Sequence, residues 1–457
     1  MPTPPSGAKQ PAMAFMNERS TSSRSDPFPV TKESSLSSSR EKRLSFAALR
    51  HSRFRWFFWT GTLTMMADNI EHVISYWMMF HKFHSPALGG FAVLSHWLPF
   101  LFFSVPAGTL ADRVDPRRLI QTGMLLFTCV SLGWGYFFVT DTLQMWQAML
   151  LLVVHGCAGV LWVIPSQLLL HALVPAKDLQ SAVRLNATGR YLGVLAGPAV
   201  GGAMLIWLGP SNGIFLNALY YLPAVLWLWR LHYRREAAGH PPLRGLADVA
   251  NTLRQIVSRP AIVTMSLLAG AASFFVGNSY QAQMPNFAVD LGHGDPGTAY
   301  SMLLAADAAG ALTAGFVLES LGRLSTSTRT ALMFAMGWCC ALAAFALTKT
   351  YWLALIFLFG AGFFELSFSS MALTVVQLEA PATIRGRILG VFNMSSLGCR
   401  AFAGISVGVI GSLFGVHISL ALAAGTFSIV VGLLLLRSHK DAVRPEGRKR
   451  PARDRHP

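Results

Sequence analysis

The stretch GTLADRVDPRR, residues 108–118, is a short charged turn between two long apolar segments. A similar stretch, GFVLESLGR at residues 315–323, also follows an apolar segment. A constant shift of 207 residues (315 − 108, 319 − 112) aligns the two turns and pairs Gly108 with Gly315 and Asp112 with Glu319. The same shift pairs three later positions: Asn186 with Asn393, Gly197 with Gly404, and Gly201 with Gly408. One shift kept at five positions predicts that the second half of the chain repeats the first.

The composition is that of a membrane protein. Hydrophobic residues make up 53% of the 457 residues, charged residues 13%, and the mean hydropathy is +0.45. This is too apolar for a soluble protein of average composition. The apolar segments are about 20 residues long or longer, which is the length that a helix needs to cross a hydrocarbon core of about 30 Å. They are continuous rather than alternating, so we predict an all-α membrane protein with twelve transmembrane helices in two six-helix repeats.

The predicted spans are numbered 1 to 12 in chain order, and turn signals such as Gly209-Pro210 separate neighbouring spans. The spans cover residues 55–81, 87–110, 117–139, 143–172, 184–207, 213–232, 260–290, 297–319, 327–348, 351–378, 386–413 and 416–437. The predicted organisation is a disordered basic tail (1–52), an N-terminal six-helix bundle (53–232), a cytoplasmic linker (233–259), a C-terminal six-helix bundle (260–437) and a second basic tail (438–457). In the linker, an interfacial helix is predicted from apolar residues at helical spacing, Leu246, Val249, Leu253 and Ile256.

The distribution of basic residues predicts the orientation. The chain has 37 Lys and Arg against 21 Asp and Glu, a formal net charge of +16. If twelve spans alternate, most of the basic residues fall on one side of the membrane. The positive-inside rule then places both termini in the cytoplasm and the protein in the inner (plasma) membrane. We attribute the excess charge to topology and to anionic lipids at the cytoplasmic face, and we expect no binding of nucleic acid.

The sequence lacks the motifs of an enzyme or a metal site. No glycine-rich phosphate loop with its lysine is present, which argues against an ATP-driven pump. We expect no catalytic activity, no bound metal and no cofactor, with a proton gradient as the energy source. The five cysteines lie inside apolar segments and lack metal-ligand spacing; they are Cys129, Cys157, Cys339, Cys340 and Cys399.

Two repeats of six spans, with a charged turn after span 2 and its counterpart after span 8, resemble the major facilitator superfamily. The signature turn of that superfamily corresponds here to Gly108, Asp112, Arg113, Arg117 and Arg118, with Asp115 at the second glycine of the pattern. Its repeat contributes Gly315, Glu319 and Arg323. The resemblance implies a latch in which a carboxylate beside a helix end, with arginines opposite, breaks its contacts when the carrier changes conformation. The alternative is a turn that serves topology alone.

Span 5 contains GVLAGPAVGG, which resembles the antiporter motif of the same superfamily. The matching residues are Gly193, Gly197, Pro198, Gly201 and Gly202, whereas the leading glycine of the motif falls on Arg184. The resemblance implies export. Small residues at four-residue steps also let two helix backbones approach closely, so packing alone is the alternative explanation.

Three longer stretches, residues 86–119, 174–202 and 381–393, are similar to the branch that holds the enterobactin exporter and the macrolide efflux carriers. That branch commonly has an acid two residues before the proline of span 4 and an arginine two residues after it. Here Pro165 is flanked by Val163 and Gln167 instead. We infer that the charges of the transport path lie on another span.

Span 1 carries Asp68, Glu71 and His72 on one helix face near mid-membrane. An ionisable group there costs roughly 2.5 to 3.5 kcal/mol on insertion scales, so these groups should face the protein interior. In the fold that the resemblance implies, spans 1, 4, 7 and 10 line a central cavity, which makes Glu365 of span 10 the counterpart in the other half. The other predicted cavity residues are His155, Gln167, Asn278, Tyr280, Gln281 and Gln283, with Met65, Trp77 and Phe364 as apolar contacts.

Each of these polar residues has a structural alternative. Glu71 and His72 could form an internal ion pair, His96 and His155 could be hydrogen-bonded packing residues, and Asp307 could bind a neighbouring helix.

The sequence as a whole predicts a secondary active transporter. The specific hypothesis is a monomeric, proton-coupled exporter of an amphipathic small molecule, such as a siderophore or a drug-like compound, that works by alternating access. Uptake, or flipping of a lipid or lysolipid, is the alternative within transport, and the glycine motif argues against uptake. A non-transporting receptor or scaffold is the alternative from another class, and the carboxylates of span 1 argue against it.

Overall fold

The computed structural model of the chain describes residues 45–83, 86–232, 254–277, 279–292, 296–321, 326–403 and 414–443. Within these ranges the regular secondary structure is helical and contains no β-strand, which confirms the predicted all-α class. The helices of the N-terminal half are α1 (Ser52–Phe83), α2 (Pro86–Ala111), α3 (Pro116–Thr140), α4 (Met145–Leu173), α5 (Leu179–Leu219) and α6 (Leu222–Arg230). Those of the C-terminal half are α7 (Pro260–Phe275), α8 (Ser279–Ala282), α9 (Met284–Asp290), α10 (Pro296–Leu321), α11 (Thr328–Leu347), α12 (Tyr351–Glu379), α13 (Arg385–Asn393), α14 (Arg400–Ala403) and α15 (Val416–Val443), with a π-helical turn, Met394–Gly398, between α13 and α14.

Eight helical stretches among the described residues are long and apolar enough to cross a membrane. Helix α1 is outside this group because Asp68, Glu71 and His72 make its middle polar, although its 32 residues exceed the roughly 20 that a span needs. The eight stretches are Phe91–Ala111, Pro116–Thr140, Met145–Leu173, Ala176–Arg230, Met302–Ser320, Thr328–Leu347, Tyr351–Glu379 and Val416–Ser438.

A glycine breaks helix α5. Gly209 has φ 73° and ψ 169°, so the chain turns there before Pro210 and continues as a second helix. Glycine adopts a positive φ without the steric cost of a Cβ atom. Helix α5 therefore contains span 5 and the start of span 6, and the predicted turn at Gly209-Pro210 is confirmed.

The prediction of one continuous helix over residues 260–290 is wrong. Helix α7 ends at Phe275, and Gly277 follows with φ 50°. Two short helices, α8 and α9, complete this span. A left-handed residue ends the α-helical hydrogen-bond pattern, so the side chains after Gly277 do not continue the periodicity of α7.

Each half has its own apolar core. Phe127 and Trp134 are fully buried in the N-terminal half, and Trp338 and Phe427 in the C-terminal half. Large apolar side chains also cover the outside of the molecule, and Trp207, for example, is 81% exposed. An apolar outer surface is what a bilayer requires, since lipid tails are as apolar as the core.

The glycines of span 5 bring helix α5 close to α1. A Cβ atom added to Gly193 would lie 2.7 Å from the Cβ of Met65, and one added to Gly197 would overlap Asn69. An added Cβ at Gly202 would instead meet open space. The crossing thus fixes the part of α1 that carries Asp68.

The ends of the predicted segments differ from the structure. Ala47–Arg50 form a 3-10 turn ahead of α1, so ordered structure begins inside the segment predicted as a disordered tail. In the predicted linker, 254–257 are helical and Ile256 is buried against the C-terminal core. Residues 233–253 of the linker lie outside the described residues, as do 1–44 and 444–457.

Candidate functional site

One histidine bridges the two acidic residues of α1. His155 of α4 places Nε2 2.9 Å from Oδ1 of Asp68 and Nδ1 2.8 Å from Oε1 of Glu71. The three residues are 3%, 7% and 1% exposed, respectively. We call this group the histidine bridge. It joins α1 to α4 inside the N-terminal half, away from the lipid.

Further contacts extend the histidine bridge on two sides. The second oxygen of Glu71 accepts a hydrogen bond from Ser131 of α3, whose oxygen accepts one at 3.3 Å from Asn217. On the other side, Nδ1 of His72 lies 3.9 Å from Oδ2 of Asp68. The ring of His96 lies 4.9 Å from that of His72, centroid to centroid. Five ionisable side chains are therefore concentrated between α1, α2 and α4.

A second acidic cluster lies in the C-terminal half. The hydroxyl of Tyr280 is 3.2 Å from both carboxylate oxygens of Asp307 and 3.3 Å from Oε2 of Glu365. Gln281 donates to Asp307 at 2.9 Å. Asp307 is thus bonded to the neighbouring span 7, and Glu365 belongs to the same network.

A cavity of about 430 Å³ lies between the two clusters. Its wall includes Asp68, His72 and Gln167 from the N-terminal half, and Gln281 and Glu365 from the C-terminal half. A volume of this size suits a small organic molecule.

Several predicted cavity residues lie elsewhere. Glu71, His155 and Tyr280 are behind the wall, where they hold the wall residues Asp68 and Glu365. Gln283 is also absent from the wall and accepts a hydrogen bond from Asn286, because the break at Gly277 turns this part of span 7. Of the predicted apolar contacts, Met65 lines the cavity and Trp77 and Phe364 do not. Asn278 lies outside the described residues.

Sequence reasoning missed two arginines and underrated one histidine. Arg190 of α5 and Arg400 of α14 both line the cavity. Asp68 was predicted to line the cavity because it is an ionisable residue inside an apolar span. The same criterion applies to both arginines. His96 also lines the cavity, and its Nδ1 has no hydrogen-bond partner.

The turn after α2 contacts the other half of the molecule. Asp112 accepts hydrogen bonds from the backbone N–H groups of Gly386 at 2.6 Å and Arg387 at 3.1 Å. A carboxylate is favoured at a helix N-terminus, where N–H groups lack partners within the helix. Burial raises the pKa of Asp112 to about 6, although the hydrogen bonds from Gly386 and Arg387 oppose the rise. A Cβ atom added to Gly108 would overlap the carbonyl of Gly386, so this approach of α2 to α13 requires glycine.

The arginines of the turn have other partners than expected. Arg117 binds Asp115 at 2.6 Å and donates to the carbonyl of Leu231, both within the N-terminal half. Arg118 is exposed, and Arg113 is half-buried. The arginine opposite Asp112 is Arg387, whose Nε lies 4.0 Å from the carboxylate. The reason is that α13 begins directly beside the turn.

The repeated turn makes the matching contact with the halves exchanged: its carboxylate belongs to the C-terminal half and contacts the N-terminal half. Glu319 at the end of α10 is buried and accepts a hydrogen bond from Ser181 near the start of α5. Arg184 donates to the carbonyl of Leu318 at 2.6 Å. A Cβ atom added to Gly315 would overlap Thr188. Arg323 lies outside the described residues.

Closer to the cavity, Gln167 and Asn393 exchange two amide hydrogen bonds of 3.1 and 2.8 Å between the halves. We call the end of the molecule where Asp112 and Glu319 lie the latch end.

Comparison with known proteins identifies the family. The family model described as "transmembrane secretion effector" matches residues 43–449. The chain belongs to the major facilitator superfamily. It is therefore a multi-pass membrane transporter and not an enzyme, as the sequence predicted.

Relatives of this facilitator are similar at low identity. An uncharacterized MFS-type transporter of Sinorhizobium fredii, y4rN, is 29% identical over 166 residues, which are 35% of this chain and 39% of the relative. The uncharacterized MFS-type transporter YfiS of Bacillus subtilis is 22% identical over 411 residues, or 84% of this chain and 94% of YfiS. The enterobactin exporter EntS of Citrobacter koseri is 25% identical over 274 residues, or 58% of this chain and 62% of EntS. The matched part thus spans less than two thirds of y4rN and of EntS.

Solved structures of facilitators share the fold. The transporter FucP in its outward conformation superposes with a TM-score of 0.68 at 12% identity, covering 84% of this chain and 98% of FucP. At this identity the likeness concerns the fold alone.

Proposed function

We propose that this facilitator is a proton-coupled exporter of an amphipathic small molecule and that the histidine bridge carries the coupled proton. The observation that carries the proposal is the pair of contacts of His155 with Asp68 and Glu71, beside the central cavity.

The two contacts require a specific number of protons. Carboxylate oxygens accept hydrogen bonds, so both nitrogens of His155 must donate, or one carboxyl group must be protonated and donate to a nitrogen. In either case the group holds one proton more than a neutral imidazole and two carboxylates. Without that proton, a nitrogen lone pair would face a carboxylate oxygen at 2.8 or 2.9 Å. That contact is repulsive, so loss of the proton favours movement of α1 against α4.

The C-terminal cluster has the same property. The hydroxyl of Tyr280 has one proton but lies within hydrogen-bond distance of both Asp307 and Glu365. Two separate bonds need a proton on one of the carboxyl groups. With a second proton site beside the same cavity, each half could bind or release a proton when the cavity opens to the other side of the membrane.

The contacts at the latch end support a transport cycle. We place this end in the cytoplasm, from the positive-inside distribution, with both termini there. Contacts such as Asp112 with Gly386 then hold the cytoplasmic side closed. In this state the histidine bridge would take a proton from outside as substrate leaves and release it inside after the halves rock. One charge moving through 100 mV supplies about 2.3 kcal/mol.

Export as the direction is supported by two observations. The enterobactin exporter EntS is among the relatives, and Gly193 and Gly197 of the antiporter-like motif pack against the helix that carries Asp68. The proposal includes a location in the inner membrane, contact with anionic lipids at the cytoplasmic face and a monomeric state.

The test begins with an untargeted comparison of the compounds retained by cells with and without the protein. A compound depleted by the protein is then exchanged in proteoliposomes that contain a pH dye, for the parent chain and for Asp68→Asn with Glu71→Gln. We expect the double variant to lose substrate-driven proton movement, while Asp290→Asn, at an exposed acid outside the cavity, keeps it. Proton exchange at the parental rate in the double variant would place the coupling site elsewhere.

A further inference from the structure

We propose that the substrate of the cavity is an organic anion with a flat conjugated part, and that Arg190 and Arg400 bind its negative group. This inference rests on the proposed transport function, since it names the chemical class that the cavity accepts. The two arginines come from different halves, Arg190 from α5 and Arg400 from α14, and both line the cavity. An anion held by both would contact both moving parts of the transporter.

Neither guanidinium is neutralised by contact with a carboxylate. Among the described residues, no carboxylate oxygen lies within 4.0 Å of a nitrogen of Arg190 or Arg400. The buried Nε of Arg400 also has no hydrogen-bond partner. Both arginines are half-buried beside the cavity, and partial desolvation of a cation without a counter-ion is unfavourable. An anionic ligand would remove that cost.

The acids nearest to the arginines already have donors. Asp68 attracts Arg190 from a distance, but its carboxylate is bound by His155. Glu365 likewise attracts Arg400 from beyond ion-pair range, while Tyr280 donates to it. Each carboxylate therefore has a hydrogen-bond partner already, whereas no hydrogen bond joins either guanidinium to another described residue. Their N–H donors can thus bind an anionic acceptor.

Each guanidinium lies over an aromatic ring. Cζ of Arg400 lies 5.0 Å from the ring centroid of Trp97, and Cζ of Arg190 lies 6.0 Å from that of Trp162. A cation–π contact needs no N–H···O hydrogen bond, so the N–H groups can bind a carboxylate, sulfonate or phenolate. Trp97, Trp162 and Phe100 also line the cavity and give a flat conjugated group an apolar surface to pack against.

The inference can be tested by equilibrium binding without a proton gradient. Purified protein in nanodiscs is incubated with tritiated 2-naphthoate, and bound ligand is measured by scintillation proximity with empty nanodiscs as background. The neutral 2-naphthamide and the cationic 2-naphthylmethylamine serve as competitors of the same shape. The variants are Arg190→Gln, Arg400→Gln and Arg400→Lys. Arg53→Gln, at an exposed residue on α1 outside the cavity, is the matched control for loss of one positive charge.

We expect saturable binding of 2-naphthoate and competition by the amide that is at least about tenfold weaker, since hydrogen bonds between charged groups are lost. Arg190→Gln and Arg400→Gln should each weaken binding roughly tenfold. Arg400→Lys should recover part of the loss because it restores the charge without the planar fork. Arg53→Gln should bind as the parent does.

Three results would overturn the inference: equal affinity of parent and cavity variants, a neutral or cationic competitor that binds as well as the anion, or no saturable binding at millimolar 2-naphthoate. Size-exclusion profiles identify any variant that fails to fold, and for such a position the competitor series on the parent decides. Since this assay involves no proton movement, its failure leaves proton-coupled export standing. Failure of the proteoliposome exchange would leave the anion site standing.

Discussion

His155 is the side chain on which the proposed coupling depends, because one imidazole holds two buried carboxylates. Asp68 and Glu71 are 7% and 1% exposed, so most of their surface is removed from water and His155 is their shared partner. Removing one partner from a buried charged group leaves an uncompensated charge and lowers stability. Replacing the whole group with uncharged side chains can leave the free energy of unfolding nearly unchanged.

This asymmetry predicts the stability of two variants. His155→Leu should lower the free energy of unfolding by about 3–5 kcal/mol, since two buried carboxylates lose their shared donor. The triple variant, with Asp68→Asn and Glu71→Gln added, should recover most of that loss. Thermal unfolding of the purified proteins in one detergent provides the comparison. A triple variant as unstable as His155→Leu would show that His155 acts through packing and not through charge.

Asp112 adds a pH dependence at the latch end. Burial raises its pKa from the ordinary 3.8 to about 6 when the latch is closed, and exposure on opening would restore the ordinary value. The carboxyl group therefore binds its proton more tightly in the closed state. Its stabilisation of that state is complete below about pH 4 and is lost as the pH rises through about 6.

Asp112→Asn should remove the part of the pH response that Asp112 contributes and leave the part set by the histidine bridge. It should also slow transport without affecting membrane insertion, because an amide oxygen replaces the carboxylate that accepts from Gly386 and Arg387. Spin labels at Lys177→Cys and Arg329→Cys, on the two halves at the latch end, report closure as a short distance. In the parent, the closed population should grow from pH 7 to pH 5, with Asp112, Arg385 and Arg387 as the charged groups at this contact. If the closed population of Asp112→Asn grows by as much as that of the parent, Asp112 does not have this role.

Among the helices, the α1–α5 crossing has the most direct effect on the site. Gly197 faces α1, where an added Cβ would overlap Asn69, the neighbour of Asp68. Gly202 belongs to the same motif but faces open space. Substitutions at these two glycines therefore distinguish the packing role of the motif from its effect on backbone flexibility.

Gly197→Ala should destabilise the protein by about 1–3 kcal/mol through overpacking. Gly202→Ala should be neutral or stabilising by up to about 1 kcal/mol, since alanine favours the helix. Gly197→Leu should be worse than Gly197→Ala. Gly408→Leu, at the repeat counterpart of Gly201 and outside the described residues, should also damage packing. Unfolding temperatures in detergent and transport rates would measure both effects. Equal behaviour of the two alanine variants would mean that the crossing is not close.

The helices were predictable from the sequence because hydrophobic length is a local property. The turn at Gly209-Pro210 was found from its residue types, and the 207-residue repeat gave the two halves. The break in span 7 was not found, since Gly277 is one glycine among many in an apolar stretch. Nothing local distinguishes a left-handed glycine from one that permits close helix packing.

Less of the site was predictable, because its contacts join distant parts of the chain. Asp68 and Glu365 were identified from the cost of burying an acid in the membrane, but the position of His155 between two carboxylates depends on how α1 packs against α4. The contact of Asp112 with α13 required the two halves to be placed side by side. Arg190 and Arg400 could also have been identified from the sequence, because a basic residue inside an apolar span is costly to bury, as an acidic residue is.

At the scale of the whole molecule, we expect the proton on the histidine bridge to be coupled to the rocking of the two halves. Five native cysteines, Cys129, Cys157, Cys339, Cys340 and Cys399, must first be replaced so that labels react only at positions 177 and 329. Asp112→Asn serves as the background, so that the latch carboxylate does not titrate. Besides Asp68, Glu71 and His155, the titratable or charged groups around the histidine bridge include His72, Tyr76, His96, Arg190, Tyr221 and Arg400. The C-terminal cluster adds Tyr280, Asp307 and Glu365.

The decisive measurement is the distance between these two labels as a function of pH, in this background and after addition of Asp68→Asn and Glu71→Gln. We expect acid to increase the latch-closed population in the background protein, because the closed structure holds the extra proton of the histidine bridge. The added substitutions should abolish most of that response. An unchanged pH response in the protein that lacks both carboxylates would show that the histidine bridge is not coupled to closure.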